Sequence, residues 1–185
     1  MVDLLNIQKS FILTHLKEGD TAADFTMGNG HDTEFLCKTV GKSGHVYAFD
    51  IQELALESTK KRLCDAGLAD RATLILDSHS NASKYITTPL KASMFNLGYL
   101  PGSGKKEITT MRHTTLPAVK FAIENTAPDG IVLIAIYPGH EEGDAEGKMI
   151  DDLLRTYPRS KICCSIFRII NSPTSPYFYI VETKG

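Results

Sequence analysis

The run Asp24-Phe-Thr-Met-Gly-Asn-Gly-His-Asp32 brings two glycines and two carboxylates into one short stretch, and Asp50 ends the apolar run that follows it. Gly28 and Gly30 let the backbone turn sharply and approach a ligand with no Cβ in the way. A helix opening just behind them presents unpaired N–H groups. An acid at the end of the second strand is placed to take both ribose hydroxyls of an adenosine. A dinucleotide loop uses the same logic, but its third glycine would fall at position 33, where Thr33 stands. That departure favours a different adenosyl cofactor. A plain strand-to-helix turn is the alternative.

A second constellation, Asn96-Leu-Gly-Tyr-Leu-Pro101, follows the apolar run Ala92–Phe95. Ligand sites in open α/β sheets lie at the carboxyl ends of strands, so this loop should face the same crevice as Gly28 and Gly30. It resembles the Asn-Pro-Pro-Tyr box of amine methyltransferases, with Leu97 and Gly98 in place of the prolines. In that box an asparagine carbonyl and a backbone carbonyl accept hydrogen bonds from the target amine. By that likeness Asn96 and Tyr99 are candidates for catalysis, and a turn with Gly98 at positive φ is the alternative. In Leu76-Asp-Ser-His79, Asp77 and Ser78 read either as adenine contacts or as caps of a helix beginning near Asn81. His79 reads as a group that orients the base or the amine, or as a solvated loop histidine. Tyr137-Pro-Gly-His140 either roofs the site or is a turn before a helix opening at Glu141. Lys105, Lys106, Arg112 and Lys120 border the substrate opening, where cations neutralise phosphates and Tyr99 could stack on an unstacked base. A solvated helix face is the other reading. The histidines lie on separate loops without metal-ligand spacing, so no metal is expected.

Alternating apolar and amphipathic segments must carry these loops. Thr21–Phe25, Val46–Phe49, Ala72–Leu76, Ala92–Phe95 and Ile131–Ile136 read as strands. Helical patterns cover Leu4 to Leu16, the leucines from Leu54 to Leu68, Met111 to Thr126, and Met149 to Tyr157. Lys161–Ile170 and Tyr177–Glu182 are strands with too short a connection for a parallel crossover, so they form an antiparallel hairpin at one sheet edge. The expected fold is α/β: a Rossmann-like, seven-stranded, mostly parallel sheet with helices on both faces and that hairpin at its C-terminal end.

The chain has 185 residues, 42% hydrophobic and 23% charged, which fits one domain over 1–185 able to bury a core. No apolar run reaches membrane-span length and the N-terminal residues do not read as a signal peptide, so a cytoplasmic chain is expected. Cys37, Cys64, Cys163 and Cys164 lack metal spacing, and Cys37 and Cys64 are expected on apolar helix faces. A net charge of −2 offers no global attraction to nucleic acid, so any RNA contact must be local. Pairing into a homodimer is left open.

The pattern D-x-T-x-G-x-G, with a second acid at Asp50, is similar to motif I of class I S-adenosylmethionine methyltransferases, Thr26 standing for the first glycine. Nearly the whole chain resembles a family of small bacterial methyltransferases long labelled rRNA methylases. The likeness rests on Thr26-Met-Gly-Asn-Gly-His-Asp-Thr33, Ala48-Phe-Asp-Ile-Gln52, Leu76-Asp-Ser-His79, Phe95-Asn-Leu-Gly-Tyr-Leu-Pro101 and Tyr137-Pro-Gly-His140. It implies methyl transfer from S-adenosylmethionine, leaving S-adenosylhomocysteine, to the amine of 5-aminomethyl-(2-thio)uridine at the tRNA wobble position. It further implies cofactor contacts from Asp24, Met27, Gly28, Asn29, Gly30, His31, Asp32, Asp50, Ile51, Gln52, Asp77, Ser78, His79 and Asn96. The anticodon loop would then meet Tyr99, Lys105, Lys106, Arg112, Tyr137 and His140. Glu141-Glu142 and the Asn-Ser-Pro-Thr-Ser-Pro turn depart from the family pattern. Another amine in rRNA or a small molecule is the alternative substrate. A nicotinamide-dependent oxidoreductase and a non-catalytic nucleotide-binding module are the remaining readings.

Overall fold

A computed structural model of the protein describes residues 3–97, 112–139 and 141–185, with only the backbone described at Arg112, Glu141 and Glu142. The elements, in chain order, are α1 (Leu4–His15), β1 (Thr21–Asp24), α2 (His31–Val40), β2 (His45–Asp50), α3 (Glu53–Asp65), β3 (Ala72–Leu76), β4 (Leu90–Leu97), α4 (Arg112–Glu124), β5 (Thr126–Ile136), α5 (Glu141–Leu154), β6 (Ile162–Phe167) and β7 (Tyr177–Thr183). Short 3-10 segments flank β3 at Ala69–Arg71 and His79–Lys84.

The strands form one seven-stranded sheet in the order β3-β2-β1-β4-β5-β7-β6. Five pair in parallel, while β7 runs antiparallel to both β5 and β6. The hairpin is thus inserted with its second strand inward. The reason lies in its side chains. Phe178, Tyr179, Ile180 and Val181 are all buried, so β7 must be covered on both faces, whereas Ser165 and Ile166 of β6 are exposed and suit an edge.

Alternation along β5 divides the core. Ile131, Leu133 and Ala135 point into a layer with Ile12, Leu16, Leu36, Val40 and Leu63 from α1 to α3. Val132, Ile134 and Ile136 point into the opposite layer with Ala118, Val119 and Ile123 of α4 and Ile150 of α5. In α2 the buried positions Thr33, Leu36, Cys37 and Val40 recur at helical spacing and seat the helix on the sheet. Phe25, Phe49 and Phe95 stack across β2, β1 and β4, with centroids 5.7 and 4.3 Å apart. This row lies directly beneath the strand ends that carry Asp50, Thr26 and Asn96, and makes their platform stiff.

Some expectations are corrected. Helix α5 opens at Glu141, where the acidic run after His140 starts a helix, and runs unbroken to Leu154, so the pattern from Met149 to Tyr157 is its last part and stops short of Tyr157; buried Glu146 accepts from Thr115 at 2.6 Å. Strand β5 begins at Thr126, ahead of Ile131. The added stretch contains Pro128-Asp-Gly130, residue types that favour turns, and the ladder takes it up as a register shift between Leu90 and Ala92. The helix expected near Asn81 is a 3-10 segment starting at His79. Cys37 is buried, its thiol pushed up to about 12 by desolvation, but Cys64 is exposed. The buried face of α3 runs through Ala55, Thr59 and Leu63, one position short of it.

Candidate active site

Chain leaving β1 is held between its two neighbours: Phe25 N–H donates to Met94 O and Met27 N–H to Phe49 O, each at 2.9 Å. The loop then turns with Gly28 at φ 48° and Gly30 at φ 77°, a region that favours glycine. At Gly30 space is limiting too, since a Cβ there would lie 2.8 Å from Thr59 Oγ1 on α3. Thr59 donates in turn to the Gly28 carbonyl at 3.0 Å.

Asp50 closes the loop from β2. Its carboxylate accepts from Gly28 N–H at 3.1 Å and from Gln52 N–H at 2.9 Å. Burial raises its pKa, and these backbone donors oppose the rise. An acid and a glycine loop therefore meet at the carboxyl ends of adjacent parallel strands, next to the switch point where the order passes from β1 to β4. These residues fit S-adenosylmethionine: Asp50 offers oxygens to a ribose, and the loop and the α2 terminus offer backbone groups.

Asp24 is 1% exposed, with both oxygens engaged, by Thr26 N–H at 3.1 Å and by Thr33 Oγ1 at 2.7 Å. Its carboxyl is pushed up to about 7 by desolvation, with the charge of Asp32 adding to the rise. Thr26 and Thr33, the residues that replace glycines of related loops, both enter this network. Thr26 Oγ1 also accepts the backbone N–H of Asn96 at 2.7 Å. Sequence reasoning passed over these hydroxyls, although the departure from glycine was itself the signal.

Asn96 stands near the end of β4, one residue past Phe95, so its side chain leaves the sheet on the α2 side. There its Nδ2 donates to Asp32 Oδ2 at 2.5 Å. The Tyr137 hydroxyl, from beyond β5, donates to Asn96 Oδ1 at 3.5 Å. Lys9 Nζ on α1 lies 3.9 Å from the other oxygen of Asp32, another partner unforeseen from sequence. Desolvation raises the Asp32 pKa against the pull of Lys9 and Asn96.

Other candidates sit differently. Asn29 and His31 meet α3: Arg62 Nε donates to the Asn29 carbonyl at 2.7 Å, and Arg62 Nη2 lies 3.1 Å from His31 Nε2. Met27 is buried, and Ile51 is exposed beside Asp50. Asp77 accepts from Asn81 and from the Tyr85 hydroxyl, both at 2.9 Å, and Ser78 caps the 3-10 segment. His79 is buried rather than solvated, 6.3 Å from Phe95 between ring centroids, with Nδ1 3.1 Å from the Phe25 carbonyl. Burial lowers its pKa, and its Nε2 has no protein partner among the described residues. Gly98, Tyr99, Lys105, Lys106 and His140 lie outside the described residues, as does the Arg112 side chain.

The parallel sheet with its antiparallel β7 and the acid-and-glycine crevice define the class I methyltransferase fold, whose cofactor is S-adenosylmethionine. Residues 46–182 match the family model described as "Putative rRNA methylase", and the chain belongs to that family. A structure from Clostridium thermocellum described as a "putative rRNA-methylase" superposes with a TM-score of 0.95 at 40% identity, covering 99% of this chain and 98% of that one. A Streptococcus mutans protein described as "a putative methyltransferase", solved in complex with SAH, gives a TM-score of 0.89 at 32% identity, covering 99% of each chain. The "tRNA (mnm(5)s(2)U34)-methyltransferase, chloroplastic" of Arabidopsis thaliana is 37% identical over 171 residues, 87% of this chain and 62% of its own length. The chain thus spans less than two thirds of that curated relative. No helix among the described residues is long and apolar enough to cross a membrane.

Proposed function

We propose that the chain, acting as one cytoplasmic domain, methylates the primary amine of 5-aminomethyl-(2-thio)uridine at the wobble position of tRNA, giving the methylaminomethyl form. The observation that carries this reading is Asn96, a neutral hydrogen-bond acceptor held beside the glycine loop by Thr26 and Asp32. The name of the plant relative supports the nucleoside and its position. Bound S-adenosylmethionine supplies an electrophilic methyl group on a sulfonium sulfur and leaves as S-adenosylhomocysteine. Asp50, with Gly28 and Gln52 behind it, holds the adenosyl end, while Met27 to His31 cradle the remainder and Asp77, Ser78 and His79 border the adenine.

An alkylamine with a pKa near that of lysine is protonated about a thousandfold over its nucleophilic form at neutral pH, roughly 4 kcal/mol against reaction. A carboxylate in direct contact would deepen that penalty. The neutral Oδ1 of Asn96 orients the amine with less. Tyr137, exposed at the rim beside Asn96, forms one wall, and desolvation of its hydroxyl raises its pKa, so it stays a phenol that can donate. Holding the amine in line supplies effective molarity without a covalent intermediate. Tyr99, Lys105, Lys106, Arg112 and His140 complete the RNA side in this reading.

The family's description favours a second substrate, an amine in rRNA. Single-turnover methylation of tRNA bearing the free aminomethyl group, read by nucleoside mass spectrometry, separates the two. Parent protein should convert that tRNA and leave ribosomal RNA unmethylated. Asn96→Ala should slow the step by about a hundredfold with smaller changes in binding. Asn96→Asp, which adds a carboxylate, should move the rise of rate with pH to more alkaline values. Methylation of rRNA alone would replace the tRNA reading.

A further inference from the structure

The amide of Asn96 has one end committed. Nδ2 donates to Asp32 Oδ2 at 2.5 Å. An ionised carboxylate only accepts, so turning the amide over would set its carbonyl oxygen against Asp32. Oδ1 is left facing Tyr137, whose hydroxyl stands 3.5 Å away, at the long limit of a hydrogen bond and easily exchanged for a better donor. The backbone at Asn96 is held as well, its N–H on Thr26 Oγ1 at 2.7 Å, so neither main chain nor amide is free to swing.

We propose that Asp32 is a positioning residue that locks Asn96 with its carbonyl oxygen presented, making the site selective for a reacting nitrogen that carries hydrogens, a primary amine. This rests on the amine reading given above. Asp32 itself is tied to the scaffold: it lies in the first turn of α2, and Lys9 of α1 stands 3.9 Å from its other oxygen. His31 of the same helix and Asp24 of β1 also act on it electrostatically. A charged acceptor on the NH₂ end polarises the whole amide and strengthens the carbonyl end as an acceptor. The carboxylate then works through the amide, and the substrate nitrogen meets a neutral oxygen. A reacting group that offers only lone pairs would face Oδ1 without a bond and be disfavoured.

The test uses the full chain with Asp32→Asn, Asn96→Ala and the double variant. Three quantities are read: S-adenosylhomocysteine affinity by calorimetry, single-turnover rate on aminomethyl-bearing tRNA, and the Asn96 side-chain amide signal in a proton–nitrogen correlation spectrum. Asp32→Asn should slow the step about tenfold or more while cofactor affinity changes less than about twofold, and the double variant should be no slower than Asn96→Ala by more than about twofold. The Asn96 amide signal should shift strongly on Asp32→Asn. Asp32→Glu, which keeps the charge, should recover part of the rate and carries the same comparison if Asp32→Asn does not fold. Losses that multiply in the double variant, or a cofactor affinity that falls in step with the rate, would overturn the proposal and assign Asp32 to the cofactor cradle. If parent protein fails to methylate that tRNA, the amine reading falls, and the amide signal still decides: an Asn96 signal indifferent to Asp32→Asn removes the lock.

Discussion

Three acids meet around the glycine loop, and each is given a different task by its surroundings. Asp50, half-buried at a strand end, keeps its oxygens near backbone donors and within reach of a ligand. Asp32 faces an amide and a lysine. Asp24 is sealed beneath them and spends both oxygens on Thr26 and Thr33. The last arrangement has a consequence for stability. Unfolded, Asp24 ionises near 3.8, but in the folded protein it holds its proton up to about 7. The stability this group contributes is therefore complete below about 4 and is lost as pH rises through about 7, because ionising it inside the fold is opposed by desolvation and by Asp32. Asp24→Asn cannot ionise. Thermal melts across this range should show the parent protein losing melting temperature relative to Asp24→Asn as pH rises, whereas parallel curves would mean that Asp24 is ionised throughout.

Among the elements, the contact between the loop and α3 decides how closely the glycine turn can sit. Gly30 combines φ 77° with a virtual Cβ 2.8 Å from Thr59 Oγ1 and 3.0 Å from Thr59 Cα, so an added methyl must push backbone and not only a side-chain end. Gly139 has φ 96° yet nothing within 4 Å. Gly30→Ala should destabilise the fold by about 2–3 kcal/mol and weaken cofactor binding, whereas Gly139→Ala should lose only about 1 kcal/mol, the backbone strain alone. Denaturant melts of both variants check this. Equal losses would show that Thr59 yields freely and that conformation, not space, requires the glycine.

For the molecule as a whole, a net charge of −2 means that attraction to RNA must be concentrated at the crevice. The described cations beside that crevice, Lys9 and Arg62, already face Asp32 and Glu34, so the proposed cationic share falls to the segment with Lys105 and Lys106. Replacing both with alanine should raise the Michaelis constant for tRNA and flatten the salt slope of binding by about two units at most, without moving cofactor affinity. A slope identical to the parent's would shift the RNA surface elsewhere, with Arg155 and Arg159 the next candidates.

Much of this was determined by sequence alone, because it depends on local chemistry. The strand list, the parallel sheet with its antiparallel hairpin, and the pairing of a glycine loop with Asp50 all follow from periodicity, turn residues and connection length, and the structure places β1, β2, β3 and β4 where those patterns run. A feature whose signal is split was not legible: Pro128-Asp-Gly130 carries the marks of a turn inside a strand. Tertiary structure decided the rest. That β7 lies inside β6 follows from which face must be covered by the whole sheet. That Asp24 is sealed while Asp50 is not, and that Asn96 of β4 meets Asp32 of α2, depends on residues 64 positions apart being brought to hydrogen-bond distance. Spacing along the chain holds no record of such a distance; packing α2 against the sheet creates it.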